Sequence, residues 1–188
     1  MNRREAISAV AFLFGGSVVG SNMFLTGCKN TDKKATGVNF DQDQIALLDE
    51  IAETIIPATT TPGAKAAKVG EFMTVMVKDC YEESNQEIFM EGLDKVNKAA
   101  DKKYNKSFLE ADATQRKALL MELDKEQKEF MKDKKADEPS HYFRMMKELT
   151  LLGYFTSEVG ATQALRYVET PGRFDACIPY KKGDKAFA

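Results

Sequence analysis

Few residues of this chain have side chains suited to nucleophilic attack, metal binding or attachment of an electron carrier: three cysteines, Cys28, Cys80 and Cys177, and a single histidine, His141. Covalent haem attachment needs Cys-x-x-Cys-His, and these cysteines lie far apart with His141 beside none of them. Zinc needs several ligands at close spacing, which one imidazole without a helical His partner or clustered thiols does not provide. Ser157, between Thr156 and Glu158, has neither the glycine elbow nor the base that a nucleophile requires, and reads as a helix cap. A flavin or nicotinamide dinucleotide would call for Gly-x-Gly-x-x-Gly between a strand and a helix, and neither that spacing nor a parallel-sheet pattern occurs. The sequence therefore offers no catalytic, cofactor-binding or metal-binding residue. His141, beside Tyr142 and Phe143 at the head of an apolar helix, is expected to cap or pack.

The chemistry that the sequence does imply is covalent modification at Cys28. Arg3 and Arg4 precede an almost uncharged run from Ala6 to Leu25, a pattern of the twin-arginine export type, although Ala6 and Ser8 stand where such signals often carry Phe and Lys. A run of about 20 apolar residues also suits a single membrane span. Leu25-Thr26-Gly27-Cys28 favours the signal, because it resembles a bacterial lipobox: small residues admit the peptidase, and only a thiol forms the thioether to diacylglycerol. Residues 1–27 are expected to be removed, 28–37 to form a lipidated tether, and 38–188 to form the folded domain. With about 0.8 kcal/mol per buried CH2, two or more acyl chains hold a protein stably on a membrane. An exported lipoprotein on the periplasmic or envelope face follows. Cys80 and Cys177 would then be the remaining thiols in an oxidising compartment, and are expected to pair, a bridge worth about 4 to 5 kcal/mol in the chain-entropy model.

The elements that must carry these residues are helical. With 188 residues, a net charge of −2, 43% hydrophobic and 30% charged residues, the composition suits one globular core, and 27 basic against 29 acidic residues argue against nucleic acid as a partner. Asp41 with Gln44 forms a capping-box pattern ahead of Leu48, Ile51, Ala52 and Ile55, with Asp49, Glu50 and Glu53 expected to face away, and Pro57 ends this first helix. Val69, Phe72, Met73, Met76 and Cys80 define the inward face of a second. Ser84 with Glu87 suggests a cap for a third, peripheral helix through Phe89, Leu93, Val96 and Ala100. Asp112 with Gln115 opens a fourth, whose pattern dissolves into the charged run from Lys125 to Lys135. Pro139 is expected at the start of a fifth, with Tyr142, Phe143, Met146, Leu149 and Leu152 as a broad core face broken at Gly153, followed by a short sixth through Leu165. The expectation is an all-α single domain of about five to six helices with an irregular C-terminal tail from Tyr167.

Between the first two helices lies Ile51-Ala-Glu-Thr-Ile-Ile-Pro57-Ala-Thr59-Thr-Thr61-Pro62-Gly63-Ala64, a proline-stopped helix followed by a threonine-rich turn. This stretch resembles the opening of the gluconate 2-dehydrogenase subunit 3 family. Gly153-Tyr-Phe-Thr-Ser-Glu-Val-Gly160, then Pro171-Gly172, Cys177-Ile-Pro179 and the terminal Gly183-Asp-Lys-Ala-Phe-Ala188 resemble that family's C-terminal half in the same order. The resemblance implies a non-catalytic small subunit that escorts, anchors or stabilises a separate FAD-dependent dehydrogenase of the glucose-methanol-choline type, acting on a sugar or polyol, with a cytochrome c carrying haem as a further subunit. Rigid, proline-fixed segments present groups to a partner at little ordering cost, so Pro57, Thr59, Thr61, Pro62 and Gly63 in the turn, and Pro171, Gly172, Phe174 and Pro179 in the tail, are the expected contacts. The other reading open to the sequence is a stand-alone helical lipoprotein with a binding or envelope-structural role.

Overall fold

The computed structural model describes residues 38–135, 138–170, 172–173 and 177–187. The expected signal and tether, with Arg3, Arg4 and Cys28, lie outside the described residues, as do Pro171 and Phe174.

Five α-helices account for the body: α1 Gln42–Ile55, α2 Val69–Cys80, α3 Glu83–Tyr104, α4 Ala113–Asp133 and α5 Tyr142–Thr156, followed by a five-residue π-helical turn, Gly160–Ala164. Among the described residues there is no strand, only an isolated bridge between Arg166 and Phe187. The protein is all-α. α5 packs against each of the other four helices, so it is the central element that its broad apolar face implies. Met146, Leu149 and Tyr154 of α5 meet Leu48 and Ile51 of α1, Met73 and Val77 of α2, Phe89 and Val96 of α3, and Leu119 and Leu123 of α4 in one buried core.

Two helix starts follow local chemistry directly. Asp41 and Asp112 each accept a hydrogen bond from the backbone N–H three residues on, and the side-chain oxygens of Gln44 and Gln115 accept the N–H of the cap residue in turn. The third start differs. Ser84 and Glu87 form no cap; α3 begins at Glu83, because Gln86 is drawn inward, where its amide donates to the carbonyls of Val77 (3.0 Å), Lys78 (3.1 Å) and Tyr81 (3.0 Å). One side chain thus reaches two of the orphan carbonyls at the end of α2 and that of the cap residue, and ties the α2–α3 corner. Nor is α3 peripheral: Phe89, Val96 and Ala100 are fully buried.

α4 continues through the charged run to Asp133, and Gln127 within it is buried. Pro139 lies before α5 and not at its start. His141 caps that helix, its Nδ1 accepting the Phe143 N–H at 3.2 Å. Burial lowers the pKa of this imidazole against the opposing pull of Glu126, which suits a ring nitrogen that must stay unprotonated to accept. Gly153 does not interrupt α5. The ring of Phe72 lies where a side chain would begin, Cδ1 being 2.5 Å from an ideal Cβ, so glycine is there to let α2 approach.

Cys80 does not point inward. It is exposed at the last residue of α2, one turn beyond the half-buried Met76, and its Sγ lies 4.0 Å from Met76 Sδ. Cys177 is exposed in the tail. Both thiols are free, so the expected bridge is not formed.

Candidate functional site: a turn braced from three helices

The chain from Ile56 to Ala64 leaves α1 and returns on itself. Ala64 N–H donates to the Ile56 carbonyl (3.0 Å), closing the loop at its neck, and Thr59 N–H donates to the Thr61 carbonyl (2.9 Å). The Glu53 carboxylate, in the last turn of α1, accepts the Ala58 N–H and the Lys65 N–H, each at 2.9 Å. A carboxylate that receives two backbone donors on opposite arms of a loop fixes their separation. Charge-assisted bonds of this kind are about twice as strong as neutral ones.

Gly63 is what allows the carboxylate in. An ideal Cβ there would sit 2.6 Å from Ala58 N and closer still to both oxygens of Glu53. Its φ is not positive, so the requirement is space and not backbone conformation.

Two more helices hold the turn from outside. The Tyr154 hydroxyl of α5 donates to the Pro62 carbonyl at 2.6 Å. Glu50 of α1 bonds Lys65 and Arg116, and Arg116 of α4 also donates to the Phe108 (3.1 Å) and Leu109 (2.8 Å) carbonyls. Burial pushes the Arg116 pKa down, while the Glu50 carboxylate beside it keeps the pair together. Beyond the turn, Asp49 accepts the Gly70 N–H at 2.9 Å near the start of α2. Asp49, Glu50 and Glu53 are therefore half-buried, not turned to solvent. They fasten the turn and the start of α2, which requires partners up to 66 residues away.

Of the residues expected to meet a partner, Pro57 and Thr59 are exposed at the tip with Ala58 and Thr60, Thr61 and Pro62 are half-buried, and Gly63 is buried. The turn thus presents one edge, Pro57 to Thr60, and uses the rest for support. In the tail, Gly172 and Pro179 are exposed. The tail folds back beside the π-helical turn, where Arg166 N–H donates to the Ala186 carbonyl (2.8 Å), the Arg166 guanidinium covers the Phe187 ring at 3.7 Å, and Lys185 reaches the Gln163 carbonyl. The turn is thus held through α1, α4 and α5, whereas these bonds of the tail reach the π-helical turn and Arg166, so the two expected contact segments rest on different parts of the fold.

Next to the turn, a cleft of about 250 Å³ opens between α1, α4 and α5. Ile55, Leu120 and Phe143 form its apolar wall, and Met121, Lys117 and Lys147 its rim. Asp124 at the same rim accepts from Lys128 (2.6 Å) and Lys147 (2.5 Å), which hold its carboxyl at about 2. Sequence periodicity alone did not show this cleft.

Among the described residues no group of three or more His, Cys, Asp or Glu side chains is placed to hold a metal ion. No helix there is long and apolar enough to cross a membrane. The chemistry of the turn is presentation: hydroxyls and a proline edge held in a fixed frame.

The profile described as gluconate 2-dehydrogenase subunit 3 matches residues 42–172, from the first residue of α1 through the braced turn and all five helices. The chain belongs to the gluconate 2-dehydrogenase subunit 3 family. Membership points to a small subunit of a gluconate 2-dehydrogenase-like complex, an accessory to an oxidoreductase. The match ends at residue 172, so Phe174 and Pro179 fall beyond it. No curated protein and no solved structure matched the chain.

Proposed function

We propose that this protein is the non-catalytic small subunit of a membrane-associated, FAD-dependent sugar or polyol dehydrogenase, and that it escorts, anchors or stabilises a separate flavoprotein of the glucose-methanol-choline type. The observation that carries this reading is the family match, which includes the whole Ile56–Ala64 turn together with Glu53, Arg116 and Tyr154, the side chains that brace it. A frame supported from three helices holds its exposed edge ready, so a partner that binds it loses little ordering entropy. FAD belongs to the partner in this scheme, and haem to a cytochrome c that accepts the electrons.

The sequence of residues 1–37 supports the anchoring half of the proposal. Arg3-Arg4 would direct export of a folded chain, carrying along a partner without a signal of its own, and acylation of Cys28 would leave the complex on the membrane. Deleting the gene and fractionating the cell tests the whole reading. Loss of the flavoprotein from the membrane fraction, with its dehydrogenase activity, is expected. A flavoprotein that is still exported, membrane-bound and active overturns the proposal and leaves a stand-alone lipoprotein. The mass of the purified chain tests the anchor separately, since an intact Met1 or an unmodified N-terminal Cys28 excludes it.

A further inference from the structure

The cleft between α1, α4 and α5 has the wrong size for a cofactor and the right make-up for a side chain. Small-molecule sites in proteins run from about 300 to 1,000 Å³, and this cavity of about 250 Å³ is below that range. Its apolar wall of Ile55, Leu120 and Phe143 would accept one large apolar group. Met121, 56% exposed at the mouth, is the unbranched, polarizable kind of residue that adapts to such a guest.

The charge at the rim selects the guest further. Asp124 is already shared between Lys128 and Lys147, so it cannot balance a third cation. Lys117, one turn before Met121, is exposed and makes no ion pair among the described residues. An apolar floor under a rim with surplus positive charge is completed by a hydrophobic side chain that arrives with a carboxylate beside it. Position narrows the source: Thr54 and Ile55, which line the cleft, lead directly in sequence into the braced turn, so the cleft adjoins the stem of the exposed Pro57–Thr60 edge.

We infer that this cleft is the anchoring pocket for the flavoprotein, taking an aromatic or leucine side chain of that subunit whose neighbouring Asp or Glu pairs with Lys117. This rests on the accessory-subunit reading above and adds to it the place and chemistry of docking. Buried apolar anchors in pockets dominate interface energies, and a rim charge contributes mainly to orientation and encounter.

The test uses the full chain co-expressed with the FAD-containing subunit from the same source. Met121→Glu and Lys117→Glu should each weaken the purified complex at least tenfold, while Lys117→Arg, and Leu152→Glu on the exposed end of α5, stay within twofold. Both cleft positions are exposed, so circular dichroism and thermal unfolding of the variants should match the wild type. A photo-crosslinking p-benzoylphenylalanine in place of Met121 should attach to the FAD-containing chain, at a segment where an aromatic or leucine adjoins an acidic residue. Cleft variants that bind as tightly as wild type, a complex broken by Leu152→Glu alone, or a crosslink to a second copy of this chain overturn the pocket and leave the accessory-subunit reading standing. A wild-type chain that retains no flavoprotein overturns both.

Discussion

The Ile56–Ala64 turn and the tail that follows Arg166 are punctuated by the same residues, proline and glycine, and in sequence they look like equivalent loops. In the structure they are held by different means. The turn receives hydrogen bonds from Glu53, from Tyr154 and from its own backbone, with Glu50 and Arg116 behind them. The tail meets the body through Arg166, Phe187 and Lys185, and its glycines Gly172 and Gly183 have nothing within 4 Å of an ideal Cβ. Punctuation residues tell where a chain can change direction. Whether the result is a rigid frame depends on whether buried or half-buried side chains from elsewhere reach its backbone groups.

Four substitutions probe that difference, and all can be read as unfolding free energies in urea. Gly63→Val should be the most damaging, because the new side chain collides with the Glu53 carboxylate and the Ala58 backbone; overpacking of this kind costs about 2 to 3 kcal/mol. Glu53→Ala comes next. It leaves the Ala58 and Lys65 N–H groups without their acceptor, at about 1 to 2 kcal/mol, and hydrogen exchange at both amides should quicken. Tyr154→Phe deletes one hydrogen bond to Pro62 while keeping the ring, for about 1 kcal/mol. Gly183→Ala in the tail should cost least, under about 1 kcal/mol: space is open there, and only the positive φ of 98° opposes a side chain. If Gly183→Ala costs as much as Gly63→Val, the contrast between a braced turn and an open tail is wrong.

What the sequence made legible and what it hid divide along range. The caps at Asp41 and Asp112, the stop at Pro57, the cap at His141 and the central role of α5 all depend on residues within a few positions of one another, or on one helix face, and all are present in the structure. The misreadings involve partners far along the chain. Ser84 and Glu87 match a capping box, but the inward pull on Gln86 moved the start of α3. Asp49, Glu50 and Glu53 look like a solvent face by period, yet each has a backbone or cationic partner supplied by the fold. Cys80 fits the apolar stripe of α2 and fails at its end, since a stripe stays buried only as far as the neighbouring helices extend. At the candidate site, the turn and its exposed tip were recognisable from Pro57 and the threonines, whereas the cleft beside it required α1, α4 and α5 to be assembled.

The hydrogen bond from Tyr154 to Pro62 spans 92 residues of sequence. Contacts of such separation carry a large loop-closure cost and tend to form after local helices and short hairpins. The turn is therefore expected to take its final shape late in folding, once α5 has docked, and a stopped-flow comparison should show Tyr154→Phe unfolding faster with a nearly unchanged folding rate. A partner that recognises the turn in its finished form discriminates between completed and incomplete chains, so the same bond that steadies the binding edge also makes it a report of maturation.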